Sequence, residues 1–375
     1  MVNKNGFRPV SRRETFALFS AGIVGAAMPL VLADAPLPAG AGLASVSAQQ
    51  GKPLGEIAAA AGILFGASIG HDIPADYAEL YVREARILTT DRALKFDFLR
   101  PGPDRFNFEP ADGILAFADV HKIPLRGHTL VWNENPPAWL KSLSGRELEK
   151  VFDAHIEKVA SRYAGRLHSW DVVNEPFWPQ HGTAGGYRDG PWFSAMGAAY
   201  VPRAFKRVHA IDKDVRLCLN EAHCELDNDW GRGIRPRLLG LIDSLLDQGI
   251  PLKAVGLQGH LVPEWGSNAD MFHGYLVEVA KRGVDIYITE LDISDMTFPT
   301  DPAARDAAVA AGYADFLRKV LTVPNVKVVE TWQLADKYSW YRDREIMARP
   351  LPFDDSLRPK KARDAIAEAF RQRVV

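Results

Sequence analysis

The chain has 375 residues, of which 47 are acidic and 45 basic, so its formal net charge is −2 at pH 7. Nucleic acid is therefore not an expected partner, because polynucleotide binding depends on a surplus of clustered basic residues. The two cysteines, Cys218 and Cys224, match no zinc-binding or redox spacing. Because Cys218 lies within an apolar run, we expect it to be a buried thiol rather than half of a disulfide.

The first 48 residues differ in composition from the rest and have the pattern of an export signal. A basic stretch that ends in Arg12-Arg13 is followed by an uncharged apolar run over residues 16–32, and the paired arginines are typical of bacterial twin-arginine signals. An uncleaved anchor is the less favoured alternative, because glycine and proline interrupt this run and it is shorter than the roughly 20 residues that span a bilayer. We expect residues 1–48 to be a signal and leader, cleaved after Ala35 or Ala48. The protein would then be periplasmic or secreted, without membrane contact after export.

Residues 49–375 suit a single catalytic domain, since no linker or low-complexity stretch divides them. Apolar, β-branched runs alternate with segments of helical periodicity. The runs begin near Ile63, Ile87, Ile123, Ser169, Val215, Ala254, Asp285 and Val326. Eight such β-α units predict a (β/α)8 TIM barrel of the α/β class.

Three of the intervening helices have clear boundary signals. Ser144 is expected to cap a helix that runs to Tyr163. A second helix, RPRLLGLIDSLLDQG, is expected to run from Arg235 and stop at Gly249. A third follows Pro299.

Polar and aromatic residues follow the apolar runs. In a parallel barrel the carboxyl ends of the strands face one mouth, where catalytic groups stand. The residues at these ends are Asp91, Arg92, Lys95, His128, Trp132, Asn174, Glu175, Asn220, Glu221, Gln258, His260, Glu290, Asp292, Trp332 and Trp340. We therefore expect them to line one cleft. The glycine-rich loop over residues 177–192 is expected to border that cleft.

Two glutamates among them, Glu175 and Glu290, end buried strands, where an unpaired carboxylate costs several kcal/mol to desolvate. A lone strand-end glutamate is more often the partner of a nearby cation, but two in matched contexts favour function. Glycoside hydrolysis with retention needs one carboxylic acid and one carboxylate, about 5 to 5.5 Å apart. We interpret Glu175 and Glu290 as that pair.

The surroundings assign the two roles. Asp292 shares a strand face with Glu290 and could orient His260, whose other ring nitrogen could keep Glu290 ionised, so Glu290 is the predicted nucleophile. Glu175 is followed by Pro176, Phe177 and Trp178. An apolar rim and a second carboxylate favour a protonated carboxyl group, so Glu175 is the predicted general acid/base.

The chain resembles glycoside hydrolase family 10, the endo-β-1,4-xylanases, over roughly residues 60–365. The matching stretches are FGAS (65–68), RGHTLVW (126–132), WDVVNEP (170–176), GLQGHL (256–261), ITELDI (288–293), DKYSW (336–340) and PFDDSLRPKKA (352–362). The resemblance implies the same roles for Glu175 and Glu290, and it implies that Asn174 bonds the sugar 2-hydroxyl. It also implies a −1 site, which holds the sugar that is attacked, lined by His128, Gln258 and His260 and walled by Trp132, Trp332 and Trp340.

The chain also departs from the family pattern. Asp91 and Arg92 stand where a Glu-Asn pair usually reads the −2 sugar, although Lys95 is kept. The other departures are Asn133 for His, the stretch 220–223 (Asn-Glu-Ala-His) for Asp-Tyr-Asn, and Gln333 for Gly. The shorter acid at position 91 could shift the sugar register, or Arg92 could bind a uronic-acid branch through bidentate hydrogen bonds. These differences bear on substrate choice more than on reaction class.

The sequence thus predicts an exported, monomeric endo-1,4-β-xylanase that acts on xylan or a related β-1,4-glycan and needs no cofactor or metal. One alternative is another retaining β-glycosidase that acts on a different substituted plant polysaccharide. A second alternative, of another class, is a carbohydrate-binding protein with a dead site. Loss of Glu175 or Glu290 would mark that class, and both are present.

Overall fold

The computed structural model describes residues 51–342 and 348–373. The predicted signal over residues 1–48 lies outside the described residues. Lys52–Val375 forms one compact unit. Within its described part, no helix has the length and apolar character needed to cross a membrane.

The described chain contains eight parallel strands that close into a barrel. They are β1 (Leu64–Ile69), β2 (Leu88–Thr90), β3 (Leu125–Gly127), β5 (Ser169–Asn174), β6 (Arg216–Glu221), β7 (Leu252–Leu257), β9 (Asp285–Ile293) and β10 (Val326–Thr331), while two short strands, β4 (Val131–Trp132) and β8 (His260–Leu261), pair with β5 and β9 above them. Closure comes from β10, which pairs with both β1 and β9. The predicted TIM barrel is confirmed, and every barrel strand begins within two residues of its predicted start.

Helices cover the outside of the barrel. Those in the described ranges are α1 (Leu54–Ala60), α2 (Ala75–Glu84), α3 (Phe96–Leu99), α4 (Glu109–His121), α5 (Gly145–Tyr163), α6 (Pro191–Met196), α7 (Tyr200–Ile211), α8 (Asp229–Asp247), α9 (Ala269–Ala280), α10 (Pro302–Val320) and α11 (Lys361–Arg371). Their buried faces pack on the strands and form the main apolar core, while Ile87, Cys218, Ala254, Tyr287 and Val328 form a second, smaller cluster.

Local signals explain the helix ends. Ser144 and Glu147 form a reciprocal capping box at the start of α5. Helix α8 ends just before Gly249, whose φ of 69° suits glycine. The predicted start of α8 at Arg235 was wrong, because the Asn228 side chain accepts the N–H groups of Trp230 and Gly231 and begins the helix earlier.

A fully buried ionic cluster lies inside the barrel, below the mouth. Arg126 of β3 forms ion pairs with Asp171 of β5, at 2.6 Å, and with Glu330 of β10. The second carboxylate oxygen of Asp171 lies 2.9 Å from Nδ1 of His128. The cluster therefore connects the barrel interior to the cleft. Cys218, which pairs in register with Asp171, and Cys224 are both buried free thiols, as predicted for Cys218.

Candidate active site

Gln258 connects the two predicted catalytic glutamates at the carboxyl end of the barrel. The Gln258 side chain donates to Oε1 of Glu175 at 2.8 Å. The main-chain oxygen of Gln258 accepts the N–H of Glu290, also at 2.8 Å. Both carboxylates are buried, with Glu175 2% and Glu290 5% exposed. The two glutamates, 115 positions apart in sequence, are thus linked by the turn that follows β7.

Asn220 provides a second connection. Its amide nitrogen donates to Oε1 of Glu290 at 2.9 Å and to Oδ1 of Asn174 at 2.8 Å. Its amide oxygen accepts from the hydroxyl of Thr289 at 2.8 Å. A Cβ at Gly256 would lie 2.3 Å from that oxygen, so glycine is required beside it. The sequence placed Asn220 at a strand end but gave it no role.

Glu290 is held on its other oxygen by His260. Nε2 of His260 lies 3.1 Å from Oε2 of Glu290, and Nδ1 lies 2.8 Å from Oδ1 of Asp292. Burial acts to lower the pKa of His260, but the carboxylates of Asp292 and Glu290 outweigh it and raise this pKa to about 10. The imidazole is therefore a cation at neutral pH, with both nitrogens donating.

The charge of Glu290 is favoured by the groups around it. Burial acts to raise the pKa of Glu290, but the hydrogen bond from His260 and the electrostatic influence of His128, His260 and Lys95 outweigh burial and lower that pKa. Glu290 is consequently ionised at neutral pH, which is the state that a nucleophile requires.

The surroundings of Glu175 differ from the predicted apolar rim. Nη2 of Arg188 donates to Oε2 of Glu175 at 2.6 Å, and its Nε donates to the main-chain oxygen of the same residue at 3.0 Å. Arg188 also pairs with Glu134, and its guanidinium lies 4.4 Å from the ring centre of Trp178. The expectation of an apolar rim was wrong for two reasons. Phe177 is buried in the core, where its ring centre lies 4.7 Å from that of Tyr187. The loop that follows also brings Arg188 into contact with Glu175.

The backbone at Glu175 is unusual and tightly held. Its φ of 48° lies in the left-handed region, which few residues other than glycine adopt. The N–H of Glu175 donates to the main-chain oxygen of Asn220 at 2.8 Å. Buried Glu221, whose pKa burial raises well above its ordinary value, accepts the N–H groups of Phe177 and Ala222. These contacts fix the direction in which Glu175 leaves its strand.

Aromatic side chains wall the site opposite these contacts. The Lys95 ammonium lies 5.4 Å from the ring centre of Trp132 and 5.3 Å from that of Trp332. The His128 ring packs edge-on against Trp332 at 5.4 Å. Trp340 is 42% exposed and donates from Nε1 to Oδ2 of Asp292 at 2.7 Å. Lys95 and His260 thus connect the three predicted wall residues, because His260 packs against both Trp332 and Trp340.

The remaining predicted residues, Asp91 and Arg92, directly follow β2. Asp91 accepts a hydrogen bond from Nε2 of Gln333 at 2.9 Å. Arg92 is exposed and donates to Asp97 at 3.3 Å. The Arg92 side chain is therefore accessible from solvent.

Some polar atoms of the site have free hydrogen-bonding capacity. Oε1 of Gln258 and Nε1 of Trp132 are buried and have no partner among the described residues. An amide oxygen and an indole N–H of this kind suit the hydroxyl groups of a sugar. In residues 51–342 and 348–373, no group of three or more His, Cys, Asp or Glu side chains is arranged to hold a metal ion.

Comparison with known proteins gives a family for this arrangement. The profile of glycosyl hydrolase family 10 matches residues 53–369. The chain is similar to a Beta-1,4-xylanase of Dictyoglomus thermophilum, 30% identical over 79% of this chain and 85% of that protein. It is also similar to Endo-1,4-beta-xylanase B of Thermotoga neapolitana, 31% identical over 80% of this chain and 84% of that protein.

Solved structures agree with the sequence relatives. The crystal structure of native xylanase 10B from Thermotoga maritima superposes with a TM-score of 0.78 and 31% identity, covering 85% of this chain and 98% of that one. The profile match spans most of the chain, and the relatives share both its sequence and its barrel. The chain therefore belongs to glycosyl hydrolase family 10.

Proposed function

We propose that this protein is an endo-1,4-β-xylanase that hydrolyses internal β-1,4-xylosidic bonds of xylan with net retention. The proposal is supported by the names of its relatives, which are β-1,4-xylanases and endo-1,4-β-xylanases. A similar enzyme, xylanase 10B from Thermotoga petrophila RKU-1, has been solved in complex with xylobiose, at 31% identity and a TM-score of 0.78.

The observation that carries the proposal is the different setting of two buried carboxylates in one cleft. Glu290 is charged and fixed by His260 and Asn220, while Glu175 is oriented by Gln258 and Arg188. One carboxylate is thereby prepared to attack and the other is directed at the same centre.

In the first step, an oxygen of Glu290 attacks the anomeric carbon of the −1 sugar, and the bond from that carbon to the glycosidic oxygen breaks. Glu175 gives its proton to the departing oxygen, so the leaving sugar is neutral. The product is a glycosyl ester of Glu290. In the second step, Glu175 takes a proton from water, whose oxygen attacks the same carbon and releases Glu290. Two inversions give net retention.

Other residues hold the sugar for this reaction. Because Oδ1 of Asn174 accepts from Asn220, the amide nitrogen of Asn174 is left to donate to the 2-hydroxyl. His128, Gln258 and Lys95 supply further polar contacts, and the indoles of Trp332 and Trp340 cover the C–H faces of the sugar. Arg92, which is exposed, is proposed to receive a uronic-acid branch.

One panel of substrates tests this function. Purified protein is incubated with xylan, arabinoxylan, glucuronoxylan and cellulose, and reducing ends and product lengths are followed. We expect xylans to give products of intermediate length early in the reaction, as internal cleavage requires. Release from no substrate by folded protein would favour the carbohydrate-binding alternative.

Two variants test the catalytic roles. Glu290→Ala should abolish turnover. Glu175→Ala should slow xylan hydrolysis but retain activity on aryl xylobiosides when azide is added, because azide replaces the water that Glu175 activates and gives a β-xylobiosyl azide. Glu368→Gln, at an exposed glutamate of α11, is the matched control and should behave as wild type. Residual activity of Glu290→Ala would mean that the nucleophile is another residue.

The proposal includes export of a monomeric enzyme, in which residues 1–48 are a twin-arginine signal and leader and residues 49–375 the catalytic domain. It is supported by the pattern of paired arginines before an apolar run. Replacing Arg12-Arg13 by two lysines should retain the protein in the cytoplasm. Export of that variant at the wild-type level would contradict the signal.

A further inference from the structure

Gln333 holds a backbone conformation that suits glycine. Its φ is 74°, in the left-handed region, although it is neither glycine nor asparagine. Its N–H donates to the hydroxyl of Ser68 at 2.9 Å. A side chain kept in an uncommon conformation beside a cleft points to a function for that side chain.

The Gln333 amide is fixed at both ends. Its Oε1 lies 3.1 Å from the hydroxyl of Tyr77 and 2.9 Å from that of Tyr81, both fully buried. Asp91 sets the amide orientation, because a carboxylate oxygen only accepts and the amide nitrogen must therefore face it. Nε2 of Gln333 donates to Oδ2 of Asp91 at 2.9 Å. Asp91 is thus tied on one oxygen to a rigid partner.

The positions of the two residues in the barrel place them on the non-reducing side of the site. Gln333 directly follows Trp332, and β10 lies four strands from β5, on the opposite side of the barrel from Glu175. Glu175 has to reach the glycosidic oxygen, so the leaving group lies on the side of Glu175 and Arg188. The sugar that precedes the −1 sugar therefore extends toward Asp91 and Gln333.

We propose that Asp91 and Gln333 act as one unit that determines specificity for this preceding sugar, an inference that rests on the proposed function. One N–H of Gln333 and one carboxylate oxygen of Asp91 are used in the hydrogen bond between them. The second N–H of Gln333 and Oδ1 of the half-exposed Asp91 are left as a neighbouring donor and acceptor. That combination suits two adjacent hydroxyls of a neutral pyranose, while the carboxylate of Asp91 disfavours a uronate at this position.

The departures from the family pattern at positions 91 and 333 compensate for one another in this arrangement. Aspartate is one methylene shorter than the usual glutamate, and the Gln333 side chain, absent when glycine stands there, fills the space that the shorter acid leaves. A glutamate at position 91 would press against the Gln333 amide. The glutamate and glycine that are usual in the family should therefore be tolerated at positions 91 and 333 only when both are introduced together.

A double-mutant cycle tests this pairing. Gln333→Gly, Asp91→Glu and the double variant are assayed on 4-nitrophenyl β-xyloside, which has no preceding sugar, and on 4-nitrophenyl β-xylobioside, which has one. We expect each single change to lower kcat/KM on the xylobioside on the order of 10-fold, the size expected for a hydrogen bond to a charged group, with little change on the xyloside. The double variant should recover most of the loss.

The controls separate folding from specificity. Gln333→Asn suits the backbone but is too short to join Tyr77 to Asp91, so it should behave like Gln333→Gly. Equal losses on both substrates, or additive losses in the double variant, would overturn the pairing. If wild-type protein hydrolysed neither aryl glycoside nor xylan, the proposed function would be overturned instead.

Discussion

The guanidinium of Arg188 forms two hydrogen bonds with Glu175, donating to the side-chain Oε2 at 2.6 Å and to the main-chain oxygen at 3.0 Å. Arg188 comes from the loop after β5, and it is only 3% exposed. Its guanidinium carbon lies 4.4 Å from the ring centre of Trp178, and it forms an ion pair with Glu134. These contacts restrict the conformations of the Arg188 side chain. Arg188 and Gln258 together therefore orient the side chain of the proposed acid/base.

Replacement of Arg188 should affect proton donation more than sugar binding. Arg188→Met keeps an unbranched apolar stem but removes the guanidinium that holds Oε2 of Glu175, so we expect kcat on xylan to fall on the order of 10- to 100-fold, the range associated with misplaced acid–base groups. An aryl xylobioside with a 2,4-dinitrophenolate leaving group needs no proton and should lose much less.

The matched control is Arg237→Met, an exposed arginine that donates to the main chain of Gly185 in the same loop. It should leave both substrates unaffected. If Arg188→Met lowered kcat equally on xylan and on the activated xylobioside, Arg188 would not act through the acid/base.

The buried cluster beneath the site should dominate the stability of the barrel interior. Arg126→Met leaves Asp171 and Glu330 buried without their cation, and loss of one partner from a buried pair costs about 3 to 5 kcal/mol. Urea unfolding should report this loss. Arg166→Met breaks the exposed pair with Asp119 and should cost about 1 kcal/mol or less. Similar losses for both variants would contradict the assignment.

The barrel and most of the cleft followed from the sequence because strand burial and side-chain alternation are local properties. Glu290 and Asp292 share a face by alternation, and the structure has His260 between them. Arg188 was missed because it lies in a loop with several positive-φ glycines, where no periodicity indicates direction. The link made by Asn220 depends on the register that pairs it with Asn174, which the sequence of either strand alone does not contain.

Arg92 offers a test of branch recognition. It is 52% exposed, and its present partner is Asp97, at 3.3 Å. Arg92→Asn should leave the rate on neutral xylan unchanged and lower the rate on glucuronic-acid-bearing xylan about two- to fivefold, the scale of an exposed ion pair. Asp97→Asn removes the carboxylate that competes for Arg92. It should therefore raise the rate on glucuronic-acid-bearing xylan relative to the rate on neutral xylan. If the ratio of the Arg92→Asn rate to the wild-type rate were the same on both polymers, this result would count against the uronate contact.

Glu225 should make the stability of the protein fall with rising pH. It is 1% exposed, and neither carboxylate oxygen has a hydrogen-bond partner in the described residues. It lines a cavity of about 120 Å³ with Leu261 and Phe316. Burial raises the pKa of Glu225 from 4.5 to about 7. The folded state therefore binds a proton more tightly than the unfolded state, and this stabilisation is complete below pH 4.5 and lost as the pH rises to 7.

Glu225→Gln keeps the shape of the side chain but cannot ionise, so it removes this dependence. The difference in unfolding free energy between variant and wild type should move in favour of the variant by up to about 3 kcal/mol between pH 5 and pH 8. Urea unfolding at several pH values measures it, with Glu368→Gln as the exposed control. Parallel profiles for Glu225→Gln and wild type would mean that Glu225 titrates alike in the folded and unfolded chains, and burial without a partner would then carry no cost at this position.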